Sequence, residues 1–352
     1  MRKVLLLLLP FVFLLRVTAA GSDSDLISYL PVSSQPAIAH PSGSSINYTT
    51  LSQLNKPDRL TTSLLFGVVS DIHVQSTNPV AQNKFQLMLG DMVKLHVPNL
   101  VINGDLGDGG LKDYNTLGNL IRQQKNHPAI FYTIGNHEFY QAYHNPFTNT
   151  WSPETFPNGE TDVSALNRFL KFTGRNRVYF DEYLQGYHLI FLGSEKSAIS
   201  DRTYGDRAFL SNEQLTWLES KLIEKYTPGK PIFVFLHQPL IRLGSTLNKS
   251  DFVIQADQLR EILNRFPEVF FFHGHIHRQL ELPTTILKKE FVMINSSSVY
   301  LPRDADGQAL PNKSEGIVVE VLKNKVIIKG RDFLTKTWIP GTQYEFNTDT
   351  VL

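Results

Sequence analysis

The sequence predicts an α/β fold in which two mixed β-sheets pack face to face as a sandwich, flanked by helices. Three observations lead there. From residue 64, apolar runs of strand length alternate with segments of helical spacing. Strand–helix–strand alternation implies right-handed crossovers and largely parallel pairing. Beyond residue 278 mostly strand-like runs remain, and together with the earlier ones they read as two packed layers.

The elements follow in order. "LLFGVVS" (64–70) is a short apolar run closed by polar residues, the mark of a buried strand. Residues 80–96 carry Phe85, Met88, Leu89 and Met92 at helical spacing. "NLVIN" (99–103) reads as a second strand, 111–126 as a helix and "AIFYTI" (129–134) as a third strand. "YHLIFLGS" (187–194) is another strand. Ser211 caps a helix over 211–226, with Gln214 in capping-box position and Leu215, Leu218 and Leu222 on one face. "PIFVFLH" (231–237) is a strand, 256–266 a helix, and "EVFFFHGH" (268–275) a strand and turn. Strands at 279–283, 290–295, 316–322 and 325–332 complete one domain over 61–340, with a C-terminal tail at 341–352.

The chain of 352 residues, 41% hydrophobic and 19% charged, has material for a large core. With 34 basic against 33 acidic residues, it has no excess charge for a broad nucleic-acid surface. Residues 1–20 read as a secretory signal peptide: Arg2 and Lys3, an apolar stretch from Val4 to Leu15, then Thr18, Ala19 and Ala20. The apolar stretch is short of the roughly 20 residues that span a bilayer, so no stable membrane span is expected after cleavage. Residues 21–60, rich in Ser, Pro, Asn and Thr, read as a linker or N-terminal arm. Cysteine is absent from the sequence. A large exported domain without disulfides fits a secreted, extracellular or cell-wall-associated protein of a Gram-positive bacterium.

Polar residues gather where the apolar runs end. After the first strand comes "SDIHV" with Asp71 and His73; after the second, "NGDLGDGG" with Asp105 and Asp108. After the third comes "GNHE" with Asn136, His137 and Glu138. His237 closes "PIFVFLH", and "HGHIH" supplies His273, His275 and His277. Ligands of open α/β sheets bind beyond the carboxyl ends of strands. Each motif alone is common; packing gives no reason for Asp, Asn and His at five successive strand ends.

In this order the motifs resemble the calcineurin-like metallophosphoesterase superfamily, whose pattern is D-x-H, GD, GNH followed by Asp or Glu, H, and GH-x-H. The resemblance covers 71–277 and fills every liganding position. It implies two metal ions: Asp71, His73 and His277 on the first, Asn136, His237 and His275 on the second, with Asp105 bridging. Manganese, iron or zinc suit such a mixed set of imidazole, carboxylate and amide oxygen. In the purple acid phosphatase branch a Tyr stands three residues after the bridging Asp; here that residue is Asp108, so a charge-transfer tyrosine is absent.

The implied function is exported hydrolysis of small-molecule phosphate esters, phosphodiesters first, by attack of a metal-bridging hydroxide. A phosphomonoesterase or nucleotidase is the alternative, and a non-catalytic binding or cell-surface module is the reading from another class. His137 is expected to act as acid or phosphate-stabilising group, with Glu138 orienting its ring. Asp108 is either a brace for a metal-binding His or a turn residue. His273 matches no ligand position and is read as structural; His40, His96, His127, His144 and His188 match none either and are read as surface or core residues, with His144 set apart because it lies in the loop 138–156. The aromatic loop 138–156 is either a satellite hydrophobic cluster or a rim that stacks on the organic part of a substrate.

Overall fold

Side-chain alternation assigns each face of the first strand. In β1 (Thr62–Val69), Leu64, Phe66 and Val68 join one apolar cluster, and Leu65 and Val69 another. The first cluster is the layer between two sheets; the second lies between a sheet and its helices. The computed structural model describes residues 62–240, 242–243 and 250–348. The expected signal peptide and the arm lie outside the described residues.

The elements continue as α1 (Pro79–Lys94), β2 (Asn99–Asn103), α2 (Leu111–Gln123) and β3 (Ala129–Thr133). Then come α3 (Asp162–Thr173), β4 (Phe180–Leu184), β5 (Tyr187–Phe191), α4 (Asn212–Ile223) and β6 (Ile232–Phe235). A short pair follows, β7 (Arg242–Leu243) with β8 (Ser250–Asp251), then α5 (Ala256–Leu263), β9 (Val269–His273), β10 (Ile286–Lys288) and β11 (Val292–Asn295). The last strands are β12 (Glu315–Leu322), β13 (Lys325–Asp332) and β14 (Thr337–Asn347).

One sheet has the order β14-β13-β12-β1-β2-β3, the other β10-β11-β9-β6-β5-β4. Both are mixed. β1, β2 and β3 run parallel, as do β5, β6, β9 and β11, while the outer strands pair antiparallel. The sandwich expected from the sequence is therefore the one found. Its middle layer is aromatic: Phe66 meets Phe233 edge-on at 5.0 Å, and Phe235 stacks on Phe191 and Phe272 at 4.9 and 5.1 Å. Phe85, Met88 and Leu89 of α1 and Leu117 of α2 cover the first sheet; Leu215 and Leu218 of α4 and Leu259 of α5 cover the second.

Three expectations need correction. The domain does not end at 340, because β14 runs from Thr337 to Asn347 through the expected tail. Pro340 and Gly341 lie inside it, where the ladder with β13 shifts register, and they hid it from the pattern. Residues 279–283 form no strand. Gln279 donates its amide to the Arg303 carbonyl, Leu282 turns back to the Gln279 carbonyl, and the strand forms later as β10. Between 157 and 186, left unassigned by the pattern, lie α3 and β4. Thr161 caps α3 through a reciprocal hydrogen-bond pair with Ser164.

Candidate metal centre

At the carboxyl ends of β1, β2 and β3 the chain turns sharply, and so it does after β9. Asp71, His73 and Asp105 have φ of 53°, 43° and 55°; His275 and His277 have 70° and 55°. Left-handed backbone at a non-glycine residue costs about 1–2 kcal/mol. Here it recurs at five residues of one site, and the fold holds it with paired amides. Asp71 N donates to Gly104 O (3.1 Å), His73 N to Asp105 O (3.0 Å) and Gly274 N to His237 O (2.9 Å). Gly274 fits because any Cβ would lie 1.8 Å from Ser70 Oγ and 2.5 Å from Asp71 Oδ2.

These turns bring the seven expected ligands together in two groups. Ligand atoms of Asp71, His73, Asp105 and His277 all lie within 4.8 Å of one another, and so do those of Asp105, His237 and His275. Asp105 belongs to both. Asn136 joins the second group, its Oδ1 lying 2.9 Å from His275 Nδ1. Each group draws from both sheets. Asp71, His73, Asp105 and Asn136 follow strands of one sheet, and His237, His275 and His277 follow strands of the other.

The donor set fits a cation. Asp71 Oδ1 and His237 Nε2 are buried without a hydrogen bond. They do have close neighbours: His277 Nε2 is 2.9 Å from Asp71 Oδ1, and Asp105 Oδ2 is 3.2 Å from His237 Nε2. In each group the ligand atoms lie close enough together to meet on one cation. The far nitrogens are tied to backbone. His237 Nδ1 lies 2.8 Å from Asn103 O and His277 Nδ1 2.9 Å from Leu301 O. Donation from Nδ1 fixes the ring and leaves Nε2 facing inward. Burial lowers the His237 pKa, but the charges of Asp105 and Asp71 outweigh it and push the imidazole up to about 10. A metal ion held by His237 would compete with that proton for one lone pair, so its binding would release the proton.

Asn103 fastens the floor of the site. Fully buried at the end of β2, it donates from Nδ2 to Leu236 O (3.1 Å) and Phe272 O (3.2 Å) of the facing sheet. Its Oδ1 accepts from Thr133 Oγ1 and its carbonyl from Ser70 Oγ, each at 2.8 Å.

His137 stands at the rim, its side chain a quarter exposed, with Nε2 4.0 Å from Asp105 Oδ2. Its Nδ1 lies 3.0 Å from Asp108 Oδ1. Glu138 does not orient this ring, contrary to expectation. Its fully buried carboxylate accepts from the backbone amides of Asp105 (3.1 Å), Leu106 (2.7 Å) and Gly135 (2.5 Å). It shapes the loop that presents Asp105. Burial and then the Asp105 charge push its pKa up to about 7, against those amides. Burial lowers His137, but Asp105's charge and Asp108's hydrogen bond raise it to about 9.

Asp108 therefore holds the imidazole, and it does more. Its Oδ2 accepts from Gln75 Nε2 (2.8 Å) and lies 3.1 Å from His144 Nε2. His144, set apart in the sequence by its place in the 138–156 loop, is thus a second imidazole on the carboxylate that holds His137. His188 and His273 do behave as structural residues: His188 pairs with Asp181 at 2.9 Å, and His273 is in neither group. The aromatic loop wraps the rim. Tyr140 lies on His137 with ring centres 3.9 Å apart, and Tyr143 stacks on Trp151 at 5.0 Å. Tyr140 Oη donates to Asp206 Oδ1 at 2.7 Å. Sequence spacing carried no signal for Asp206 or Gln238, which reach the site only through folding.

The calcineurin-like phosphoesterase family model matches residues 64–279. Over 80 residues the chain is 34% identical to a protein of Synechococcus sp. (strain WH7803) described as a probable cyclic nucleotide phosphodiesterase; that match spans 22% of this chain and 30% of the relative. A dimetal phosphatase from Danio rerio shares the fold with a TM-score of 0.58 at 13% identity, over 82% of this chain and 99% of that one. A purple acid phosphatase from yellow lupin does so at 0.53 and 11%, over 81% of this chain and 53% of that one. GAP50, the anchor in the inner membrane complex of Plasmodium, follows at 0.51 and 15%, over 81% and 88%. At such identities these structures attest the fold. With the family model spanning more than half of its length, the chain belongs to the calcineurin-like phosphoesterase family.

Proposed function

We propose that the protein is a dinuclear metal-dependent phosphodiesterase acting outside the cell on small-molecule esters. One observation carries the chemistry: Asp105 is shared by two groups of converging ligand atoms, with His137 beside them. Asp71, His73, Asp105 and His277 would hold one ion, and Asp105, Asn136, His237 and His275 the other, as manganese, iron or zinc. When bound, two such ions supply a water nucleophile at neutral pH and neutralise phosphoryl oxygens.

The chain's own residues do the rest. His137, with Nδ1 engaged by Asp108, offers Nε2 toward the site. There it holds a proton for the leaving oxygen or a positive charge for the phosphoryl group. Glu138 keeps the Asp105 loop in shape. The Tyr143–Trp151 stack borders the rim, where a planar organic group of the ester can pack. Preference for diesters is supported by the likeness to the Synechococcus protein, over the short segment matched. Export is supported by the residue pattern of 1–20.

The test is hydrolysis of bis(p-nitrophenyl) phosphate and p-nitrophenyl phosphate by chelator-treated protein reloaded with Mn, Zn or Fe. Faster turnover of the diester is expected. Preference for the monoester would replace the reading by a phosphomonoesterase. Absence of metal-dependent turnover on either ester would leave a binding module. Cleavage after Ala19 or Ala20, read by mass spectrometry of culture supernatant, tests export.

A further inference from the structure

We infer that Tyr140 and Asp206 form a clamp that fixes which end of the Asn136 amide faces the second metal group. The inference rests on the dinuclear reading above. Asn136 is the one amide among the proposed ligands. Its amide is nearly symmetric in shape, yet only the oxygen can ligate a cation; the NH₂ end carries two donors and repels one. Something must hold the oxygen inward.

The hydrogen-bond directions supply the answer. An ionised carboxylate only accepts, so the Tyr140 hydroxyl spends its single proton on Asp206 Oδ1 at 2.7 Å. The phenol oxygen is left with lone pairs alone. Its other neighbour, 3.2 Å away, must then be a donor, and it is Asn136 Nδ2. That places Asn136 Oδ1 on the opposite side, 2.9 Å from His275 Nδ1 within the second group. A flipped amide would set two proton-poor oxygens against each other and turn its N–H groups toward the cation.

The clamp is itself held on both sides. The Tyr140 ring lies on the His137 imidazole, centres 3.9 Å apart and planes 30° apart, so its hydroxyl cannot swing away without breaking that contact. The Asp206 carbonyl accepts from Nε2 of Gln238, a fully buried residue directly after His237. The anchor for one ligand of the second group is thus the sequence neighbour of another. None of these contacts involves Asp71, His73 or His277. Tyr140 and Asp206 are therefore positioning residues for one ion and not the other.

The experiment titrates Mn(II) into metal-stripped protein, following affinity by calorimetry and stoichiometry by elemental analysis after dialysis. Tyr140→Phe keeps the ring on His137 and deletes the hydroxyl. It is expected to weaken the second ion by about 10–100-fold and leave the first unchanged, as loss of a partner behind a ligand does elsewhere. Asp206→Asn, whose amide can either donate or accept, removes the directional constraint and should shift the second ion in the same sense. It decides alone if the phenylalanine variant does not fold. Two ions bound with wild-type affinity in these variants would overturn the clamp while the dinuclear reading stands. Equal weakening of both ions would overturn it too, since that marks general loosening. A wild-type protein that binds fewer than two ions would instead bring down the dinuclear reading, and the clamp with it.

Discussion

The floor and the rim of the centre are built by different means. On the floor, Asp71 and His237 are wholly buried, Asp105 nearly so, and backbone holds them: left-handed turns, paired amides, carbonyls behind imidazoles. At the rim, His137 and His144 are partly exposed, and side chains hold side chains: Asp108 between two imidazoles, Tyr140 on His137. The floor permits almost no adjustment, which suits ligands that must meet within a few ångströms. The rim can exchange protons and accommodate an organic group. The lesson is that the part proposed to bind ions is fixed by the chain path, while the part proposed to react is held by contacts that one substitution can remove.

Asp105→Asn strikes the floor where both groups meet. Both ions should be lost together in elemental analysis. Turnover should fall by more than the roughly 10²–10³-fold that follows removal of a single transition-state contact. Loss of one ion alone would mean that Asp105 is not shared. At the rim, His137→Ala should keep both ions and lower kcat by about 10²–10⁴-fold. Unchanged kcat would remove its assigned role and erase the division between the two regions.

Gly274→Ala probes the rigidity of the floor without replacing a ligand. The new methyl would collide with Ser70 and Asp71, and denaturant unfolding should show a loss of about 3 kcal/mol, as for a core that cannot yield. A loss well below 1 kcal/mol would show that the floor adjusts after all. The smallest effect belongs to the rim. His144 is raised above its ordinary value, first by its hydrogen bond to Asp108. A raised imidazole contributes stability fully below about pH 6.5 and loses it as pH rises through the folded value. His144→Ala should therefore cost on the order of 1 kcal/mol at pH 6 and progressively less at alkaline pH. A difference independent of pH would indicate packing rather than charge.

Much of the floor was legible in the sequence, because its residues stand directly after apolar runs. Asp71, Asp105 and His237 are each preceded by a strand, and a strand end is a place on the surface that a pattern can mark. The rim was less so. That Glu138 turns inward to three amides, and that Asp108 rather than Glu138 holds His137, depends on the 3-10 turn over His137–Tyr143. His144 reaches Asp108 only because the loop folds back across 36 residues. In the fold, the long apolar strands announced themselves. β14 did not, because Pro340 and Gly341 interrupt its alternation at a bulge, and β4 did not, because none of its five residues is fully buried.

Asn103 gives the molecule a property of its own. One side chain, shut off from water, spans the two sheets and sits against the carbonyls that precede His237 and His273. Prising the sheets apart there would strip a buried amide of both its acceptors, a penalty of about 1–3 kcal/mol. The amide protons of β2, β6 and β9 should therefore exchange with solvent only when the entire sandwich opens, and as one cooperative unit. Since each candidate metal group also draws on both sheets, ions that bound the native state alone would make that opening rarer by mass action. Resistance to heat and to proteolysis would then become a readout of metal supply, and a chelator added to the folded protein should act as a mild denaturant.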